Sequence, residues 1–405
     1  MITKVIKFGG TSVGNISRIK EVANIIIDKA NKKQRIVVIV SAMSGVTNDL
    51  IKKSQEISTN FSDEEYDVLV SSGEQVTSAL LSACLIDKGI KARSLLAWQV
   101  PIVTVGQHKN SRIISINSKS INRYLDQNYV VVIPGFQGIS EKLRISTIGR
   151  GGSDASAVAV AKALKADRCE IYTDVQGVFT TNPDICREAK KIDKISYDEM
   201  LEMSSSGAKV MQSTSIQKAM LNEVEIFVKS TFYPKKVGTH ILSENKISYD
   251  KVITGVAYSI DDAKVTIIGV KDKPGVASAI FKPLNDQNII VDMIVQNVSA
   301  ESNETDVTFT VKSNDMNQTE KLLNRLKSEL GYKKLITDKN VSKISIVGAG
   351  MITHPGIAYK MFNSLALKNI NILVISTSEI RISVLIEEKN AELAVKTLHN
   401  VFELA

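Results

Sequence analysis

The sequence is poor in cysteine and has no long apolar run. Its three cysteines, Cys84, Cys169 and Cys186, form no CxxC pair, which excludes a disulfide framework and a CxxC metal site and is typical of a reducing compartment. The longest apolar runs, such as residues 36–40 and 130–133, are much shorter than the roughly 18 residues that a membrane helix needs. The first residues also lack the apolar core of a signal peptide, so we expect a cytoplasmic protein without a membrane span.

Histidine is scarce as well, and basic residues are not clustered. The four histidines, at 108, 240, 354 and 399, are scattered, which argues against a metal cage or a histidine-based triad. The net charge is +8, but lysine and arginine are interleaved with acidic residues and form no dense basic patch with aromatics. Nucleic-acid binding is therefore not expected, while a basic excess suits an anionic substrate.

The 405 residues are enough for two to four domains, and the first part of the chain alternates two patterns. Short β-branched runs predict strands, and the longer segments between them have apolar residues at helical spacing. Continuous apolar strands alternating with helices indicate an α/β fold with a mostly parallel sheet covered on both faces. The predicted strands are 5–8, 36–40, 130–133, 170–173 and 225–229, and the predicted helices are 16–31, 65–88, 153–164 and 197–203.

The last part of the chain contains an internal repeat. "KPGVASAIFKPLNDQNIIVDMI", from Lys273, matches "HPGIAYKMFNSLALKNINILVI", from His354. Each copy predicts strand, Pro-Gly turn, helix, two strands and a closing helix, which is a ferredoxin-like unit. The segment 252–259 is a further strand that could complete either copy, and the polar stretch 240–251 looks like a linker.

The first candidate motif is "KFGGTSVG", residues 7–14, directly behind an apolar strand. Glycines let backbone N–H groups approach an anion, and a following helix N-terminus adds partial positive charge. The spacing is not that of a Walker A loop. On spacing alone the motif is equally well a phosphate-binding turn or a plain corner between strand and helix.

The second motif, "TIGRGGSDASAVAVAKAL", residues 147–164, places Arg150, a glycine pair, Ser153 and Asp154 at the start of a helix. A guanidinium can hold a carboxylate, and an aspartate can bind magnesium or orient a lysine. The alternative is that Ser153 or Asp154 is only an N-cap, which leaves the Arg-Gly-Gly run unexplained.

Two weaker signals accompany these motifs. "IYTDVQGVFTTNPDI", residues 171–185, continues from a strand into a turn-rich loop, where open α/β sheets bind ligands, although a surface loop is as good an interpretation. Glu74 stands among apolar residues, where a carboxylate is costly unless it is paired or exposed. "GAGM", residues 348–351, is rejected as a dinucleotide-binding turn because Thr353 stands where the third glycine is needed.

These motifs in this order, together with "SAMSGVTN", "SSGEQVTSALL", "GFQG" and "ISTSEIRISVLI", resemble the aspartate kinase family over essentially the whole chain. The resemblance implies a three-layer α/β/α amino-acid-kinase fold followed by tandem ferredoxin-like (ACT) βαββαβ regulatory domains. The implied boundaries are 1–245 for the catalytic domain, 246–263 for a linker and strand, and 264–338 and 339–405 for the two ACT domains.

The implied reaction is that of ATP with L-aspartate to give ADP and 4-phospho-L-aspartate, the first step towards lysine, threonine, methionine and diaminopimelate. ATP and Mg²⁺ are the implied cofactors, and the ion is held through ATP rather than by a protein cage. Lysine, threonine or both are the implied effectors. A homo-oligomer through the ACT domains, with or without a shorter regulatory chain, is the implied assembly.

The resemblance also carries site residues, with Lys7 and Asp154 implied as catalytic. The implied ATP contacts are Lys7, Phe8, Gly9, Gly10, Ser41, Ser153, Thr173, Asp174, Phe179, Thr180, Thr181, Asn182, Pro183, Asp184 and Lys209. The implied aspartate contacts are Thr47, Glu74, Leu125, Asp126, Arg150, Gly151, Gly152 and Ser153. The implied effector contacts are Ile290, Val291, Asp292, Gln296, Ile357, Ala358, Asn371, Ile372, Ser378 and Glu379.

The sequence departs from the family pattern at two places. Asn182 and Asp184 stand where the family commonly has aspartate and arginine, so one positive phosphate contact is missing or supplied elsewhere. Copy two of the repeat has the polar Asn371 where copy one has Ile290. Two other functions stay open: an amino-acid kinase for glutamate, acetylglutamate or a nucleotide, and an inactive amino-acid sensor. Intact Lys7, Arg150 and Asp154 disfavour the sensor.

Overall fold

The chain forms two compact units in a computed structural model, which describes residues 2–32, 34–149, 151–248, 251–298 and 303–405. The first unit comprises residues 1–178, 191–204 and 209–248. The second unit comprises residues 179–190, 205–208 and 249–405.

The first unit alternates strands and helices along the chain. Its strands are β1 (Thr3–Phe8), β2 (Arg35–Val40), β3 (Ala92–Ser94), β4 (Ile102–Val105), β5 (Arg112–Ile116), β6 (Val130–Pro134), β7 (Gln137–Ile139), β8 (Ile145–Thr147), β9 (Arg168–Thr173), β10 (Lys194–Ser196), β11 (Ile226–Ser230) and β12 (Thr239–Leu242). Its helices are α1 (Ile16–Ala30), α2 (Val46–Ile57), α3 (Asp63–Asp87), α4 (Ser118–Leu125), α5 (Gly152–Leu164), α6 (Tyr197–Ser205) and α7 (Ser213–Leu221).

An eight-stranded sheet in the order β10-β12-β11-β9-β1-β2-β6-β3 forms the centre of the first unit. Neighbouring strands from β11 to β3 are parallel, whereas β12 runs antiparallel to β11. The mostly parallel sheet is therefore confirmed. The prediction of a linker at 240–251 is wrong for its first residues, because they belong to β12, which is paired in the sheet. Thr239, Ile241 and Leu242 are buried there, although the stretch is polar on average.

Helices cover both faces of this sheet. Ile6 and Phe8 of β1 share one core cluster with Ile19 and Ile26 of α1, and Leu81 of α3 belongs to the same cluster. Helix α5 contacts β1 and β9, and its buried face consists largely of alanine and valine, whose small side chains let it pack closely. The three-layer α/β/α architecture is thus confirmed.

Helix α3 is long and apolar enough by composition to cross a membrane, but half of its most apolar window is buried in the structure. It contacts α1, β3, β6 and β8, and its buried face includes Asp67 and Glu74. These contacts are those of a core helix in the first unit. A small second sheet, in the order β5-β4-β7-β8, lies in the same unit, with β8 against α3.

The second unit contains eight strands and five helices among its described residues. Its strands are β13 (Gly255–Ser259), β14 (Asp262–Lys271), β15 (Val291–Val298), β16 (Glu304–Lys312), β17 (Lys334–Asp338), β18 (Val341–Val347), β19 (Val374–Thr377) and β20 (Arg381–Glu387). Its helices are α8 (Val276–Asp286), α9 (Met316–Arg325), α10 (Lys327–Leu330), α11 (Ile357–Ala366) and α12 (Ala391–Val401).

The repeat in the sequence forms two modules, each with an antiparallel four-stranded sheet. The first module has the order β15-β16-β14-β17 and the second has β13-β18-β20-β19. In both, the glycine after the proline adopts a left-handed backbone before the helix, with φ of 92° at Gly275 and 87° at Gly356. The tandem ferredoxin-like prediction is confirmed. The sequence left the partner of the strand at 252–259 open, and β13 pairs with β18 and completes the second module.

Candidate active site

A cavity of about 590 Å³ opens in the first unit where β1 and β2 end and α5 begins. Carboxyl ends of parallel strands are where open α/β sheets bind ligands, so the location agrees with the positions of the motifs. The predicted ligand-binding residues that line it are Lys7, Gly10, Ser41, Thr47, Glu74, Gly151, Gly152, Ser153 and Asp154. The cavity therefore brings together predicted contacts for both the phosphates and the amino acid.

An ion pair between Lys7 and Asp154 lies at this cavity. Lys7 is near the end of β1, and Asp154 is in the first turn of α5, which contacts β1. The Nζ to Oδ1 distance is 2.6 Å, and the side chains are only 11% and 10% exposed. The carboxylate thus holds the ammonium group at the cavity wall, where it is available to an anionic ligand.

The glycine turn behind β1 is both a corner and an open surface. Gly9 N donates a hydrogen bond to Tyr172 O on the neighbouring strand, and a Cβ at Gly10 would lie 3.1 Å from Ala42 O. Helix α1 begins only at Ile16, and Asn15 Oδ1 already accepts from Arg18 N. The Asn15 side chain thus satisfies one of the free N–H groups of the first turn of α1, and phosphate binding by the motif stays a prediction.

Glu74 lies on α3 and is almost fully buried at the cavity. Its Oε2 atom has no hydrogen-bond partner among the described residues. Burial raises the pKa of the Glu74 carboxyl to about 7, although backbone N–H groups of Ala42 and of Glu74 itself act in the opposite direction. A buried carboxylate with one unpaired oxygen is costly by itself, and a cationic ligand group would stabilise it.

The segment around position 150 is a tightly packed glycine turn. Arg150, a predicted aspartate contact, lies outside the described residues. Gly149 and Gly151 on either side have φ of 81° and 71°, and a Cβ at Gly151 would lie 2.5 Å from Cγ of Gln212. A Cβ at Gly152 would lie 2.7 Å from Phe136. Glycine is therefore required at 151 and 152, and because Gly151 is the N-cap of α5, neither Ser153 nor Asp154 is.

The ends of β9 and β11 lie beside β1 and are joined by hydroxyl groups. Thr173, a predicted ATP contact, donates from Oγ1 to Asp174 Oδ1 at 2.9 Å. Thr231, which follows β11, donates from its backbone N–H to Thr173 O and pairs with Ser12 Oγ at 2.6 Å. Ser12 and Thr231 were not predicted, because nothing in the sequence links positions so far apart.

The predicted ATP contacts from residue 179 onwards are not among the residues that line the cavity. Residues 179–184 belong to the second unit, where Thr180 Oγ1 lies 2.9 Å from His399 Nε2 and Asn182 donates to the Tyr258 hydroxyl. Thr181 is buried. Lys209 is an exposed residue of the first unit, shortly before α7. Their role in ATP binding stays a prediction.

Leu125 and Asp126 are not near the other predicted aspartate contacts. They end helix α4, and Asp126 pairs with Arg35 Nη2 at 2.8 Å. Arg35 begins β2, whereas the cavity lies at the far end of that strand, roughly 17 Å away at about 3.3 Å per residue. Leu125 and Asp126 are not among the residues that line the cavity, and their role in aspartate binding stays a prediction.

The cavity-lining residues that were not predicted as site residues include Tyr66, Lys109, Phe136 and Thr147. Phe136 lies in the quoted "GFQG" stretch and Thr147 opens the second motif. Both residues therefore stood in recognised motifs, but neither of them was assigned a role. Lys109 has φ of 67°, which is unusual for a residue with a side chain, but backbone conformation cannot be read from sequence.

The predicted effector positions lie on both modules of the second unit. Asp292 on β15 pairs with the buried Lys343 on β18, at 2.7 Å. Burial raises the pKa of Asp292, but Lys343 and Met293 N outweigh it, and the net pKa is lowered. Ile290, Gln296, Asn371, Ser378 and Glu379 are exposed, whereas Val291, Ile357, Ala358 and Ile372 pack partly against the module cores.

Comparison with known proteins agrees with this architecture. A model of the amino acid kinase family matches residues 3–230, and a model of the ACT domain matches residues 265–326 and 344–402. An aspartate kinase of Stutzerimonas stutzeri is 48% identical over 398 residues, which cover 98% of this chain and 96% of that protein. The fold and site thus define an amino acid kinase with a pair of ACT domains.

Two solved structures of E. coli aspartokinase III resemble the whole chain. The one in complex with aspartate and ADP has a TM-score of 0.83 at 24% identity and covers 100% of both chains, which supports the fold. The one in complex with lysine and aspartate has a TM-score of 0.80 at 25% identity and covers 99% of both chains. The chain belongs to the aspartate kinase family, whose members are ATP-dependent phosphotransferases with a carboxyl group as acceptor.

Proposed function

We propose that this enzyme transfers the γ-phosphoryl group of ATP to the side-chain carboxylate of L-aspartate, giving ADP and 4-phospho-L-aspartate. The observation that carries the proposal is one cavity lined by both the Lys7–Asp154 pair and the unpaired Oε2 of Glu74. A cation for phosphate and an anion for an ammonium group are what ATP and an amino acid require in one place.

The amino acid is held by groups of opposite charge. Glu74 Oε2 accepts from the substrate ammonium group, which compensates the cost of a buried carboxylate. Arg150 holds a substrate carboxylate, since a guanidinium fits a carboxylate with two hydrogen bonds. Thr47 and Ser153 line the same cavity and donate hydroxyl hydrogen bonds.

The phosphates are held by Lys7, by the backbone N–H groups of the Gly9–Gly10 turn and by Ser41. Gly10 lines the cavity, and its missing side chain lets the turn pack closely against Ala42 O just after the end of β2. The carboxylates among the described cavity residues are Glu74 and Asp154. Mg²⁺ bound with ATP would neutralise phosphate charge, and Asp154 is the residue placed to contact it or to keep Lys7 oriented.

The chemistry needs no general base, because a carboxylate nucleophile is already ionised at neutral pH. Two anions must instead be aligned against their repulsion, and charge on the transferring group must be stabilised. Such reactions depend mainly on positioning and electrostatics. Lys7 and Arg150 perform these two tasks.

The second unit regulates the reaction by binding an end-product amino acid. The support is the pair of ACT-type modules and the lysine complex of E. coli aspartokinase III, a relative of the same length. Lysine, threonine or both are the effectors, and the modules also join chains into an oligomer, with or without a shorter regulatory chain. The enzyme acts in the cytoplasm, at the first step towards lysine, threonine, methionine and diaminopimelate.

A coupled assay of ADP release tests the proposal. Aspartate should support turnover with ATP and Mg²⁺, while glutamate and acetylglutamate should not. Turnover with glutamate instead would indicate another amino-acid kinase, and no turnover with any acceptor would indicate a sensor. Adding lysine and threonine, singly and together, then identifies the effector.

A further inference from the structure

Asp67 is a fully buried carboxylate on α3 that the proposed chemistry does not use. Four donors from two other segments converge on it. They are His108 Nδ1 at 2.6 Å, Lys109 N at 3.1 Å, Thr147 N at 3.0 Å and Thr147 Oγ1 at 2.6 Å. A buried carboxylate without such donors would be strongly destabilising, so the two segments are bound tightly to it.

The residues that Asp67 holds form part of the cavity wall. Lys109 and Thr147 both line the cavity, but Asp67 and His108 do not. Lys109 has a left-handed backbone, which is unfavourable for a residue with a side chain, and its N–H is directed to Asp67. The carboxylate therefore keeps Lys109 in a conformation that it would not adopt readily by itself.

The same part of the cavity wall continues to Gly149. Ser111 N donates to Thr147 O at 2.9 Å, and a Cβ at Gly149 would lie 2.9 Å from Asn110 Oδ1. The loop before β5 and the turn after β8 are thus packed together directly before the Arg-Gly-Gly run. Asp67 is also about two helical turns from Glu74 on α3, which places both carboxylates on the same side of that helix.

We propose that Asp67 is a positioning residue for the amino-acid half of the site, which fixes Thr147, Lys109 and the turn after β8 relative to Glu74. The inference rests on the proposed function, since it assigns this wall to aspartate. Helix α3 then carries both Glu74, which binds the substrate ammonium group, and Asp67, which holds Lys109 and Thr147 at the cavity. Loss of a hydrogen bond to Asp67 weakens aspartate binding, because Lys109 and Thr147 are then held less firmly. Among the described residues, the groups around Lys7 that hold ATP make no hydrogen bond to Asp67.

Substitutions at His108 give the cleanest test, because His108 contacts Asp67 but does not line the cavity. His108→Leu removes one donor, and His108→Asn retains an N–H near the position of Nδ1. We expect His108→Leu to raise KM for aspartate about fivefold, in the range for loss of one hydrogen bond to a charged group that is transmitted through the wall. KM for ATP should stay within about twofold, and His108→Asn should restore most of the aspartate KM.

Thr147→Val removes a donor to Asp67 that is itself at the cavity. It should raise the KM for aspartate more strongly, by about tenfold. Thr104→Val is the matched control. Thr104 is a buried threonine of the same small sheet, and its hydroxyl pairs with Ser146 rather than with Asp67. Thr104→Val should lower the melting temperature about as much as Thr147→Val and leave the KM for aspartate unchanged.

The outcomes separate the two proposals. If the wild-type enzyme uses aspartate and both His108→Leu and Thr147→Val keep its KM within twofold while only the melting temperature falls, Asp67 is merely structural and the inference is overturned. A parallel rise in KM for ATP would overturn it as well, because the effect would then be general. A wild-type enzyme without turnover on aspartate overturns the proposed function, and the inference with it.

Discussion

Two carboxylates, one in each unit, differ in how their charge is satisfied. In the first unit, Glu74 is buried with one carboxylate oxygen unpaired at a cavity, and its pKa is raised to about 7. In the second unit, Asp292 is paired with Lys343, and its pKa is lowered. The unpaired oxygen of Glu74 lies at a cavity where a ligand group can pair with it, whereas Asp292 already has a partner and contributes to packing between the modules.

The difference suggests what each unit is built for. The first unit collects charged residues from β1, α3 and α5 at one end of the sheet strands, and in the proposed function bound substrates compensate the cost of burying them. In the second unit the Asp292–Lys343 pair joins the first module to the second, and Met293 packs in one cluster with Val341, Val374 and Leu385. Changes in the first unit should therefore alter catalysis, and changes in the second should alter stability and regulation.

The largest effect is expected for Lys7→Ala. Removing the ammonium group from the phosphoryl site should lower kcat about 100- to 1000-fold, the loss typical of one charged or polar group that stabilises a transition state. Steady-state ADP release measures it, and the melting temperature checks the fold. Lys52→Ala, an exposed position on α2, is the control and should keep normal turnover. Normal turnover in Lys7→Ala would remove this residue from the proposed chemistry.

Glu74 should make aspartate binding depend on pH. The ammonium group needs the ionised carboxylate, and the carboxyl of the free enzyme has a pKa of about 7. Below that pH, kcat/KM for aspartate should fall about tenfold per pH unit, and above it the value should level off. Glu74→Gln should lower kcat/KM at pH 8 about tenfold or more and remove this step from the profile. A step retained in that variant would assign it to another group.

Asp292→Ala tests the paired group of the second unit. It leaves the ammonium group of Lys343, which is only 2% exposed, without its carboxylate. Because Asp292 itself is partly exposed, water screens the pair, and we expect a loss of about 2 kcal/mol in the free energy of unfolding. Urea denaturation, followed at the unfolding transition of the second unit, measures this loss. Asp292→Asn keeps a polar partner and should lose less, and a loss in kcat without a loss of stability would contradict the comparison.

The smallest effect on the uninhibited enzyme is expected at the repeated effector position. Asn371→Ala removes a polar group from copy two and should raise the inhibitory concentration of the effector about tenfold, while Ile290→Ala in copy one should change it less than about twofold. Initial rates at increasing lysine and threonine measure this, and kcat without effector should be unchanged for both variants. Equal effects of the two substitutions would show that the copies bind the effector alike.

Much of the fold could be predicted because its elements have strong local patterns. The strands of the central sheet are nearly continuous apolar runs, and helices α1 and α5 have regular apolar spacing. Strand β12 was missed because a short strand with polar flanks has little pattern of its own. The partner of β13 was also undecided, because pairing between distant strands is not a property of either strand alone.

The site could be predicted where a residue stands in a motif. Lys7, Glu74, Ser153 and Asp154 were named from such stretches and line one cavity. Asp67, Thr231 and Lys109 were not, since their contacts come from segments far away in the chain. Leu125 and Asp126, named from the family resemblance outside the quoted motifs, do not line this cavity, and their role stays a prediction.

The amino-acid sequence by itself determined the elements, the repeat and the chemical types at the strand ends, since these depend on local periodicity, on glycine and proline, and on residue identity. Only the tertiary structure decided that β13 completes the second module, that Glu74 keeps an unpaired oxygen, and that Asp67 collects donors from two other segments. Those facts depend on burial and on distances between remote parts of the chain, which determine whether a polar group is satisfied by the protein or left for a ligand.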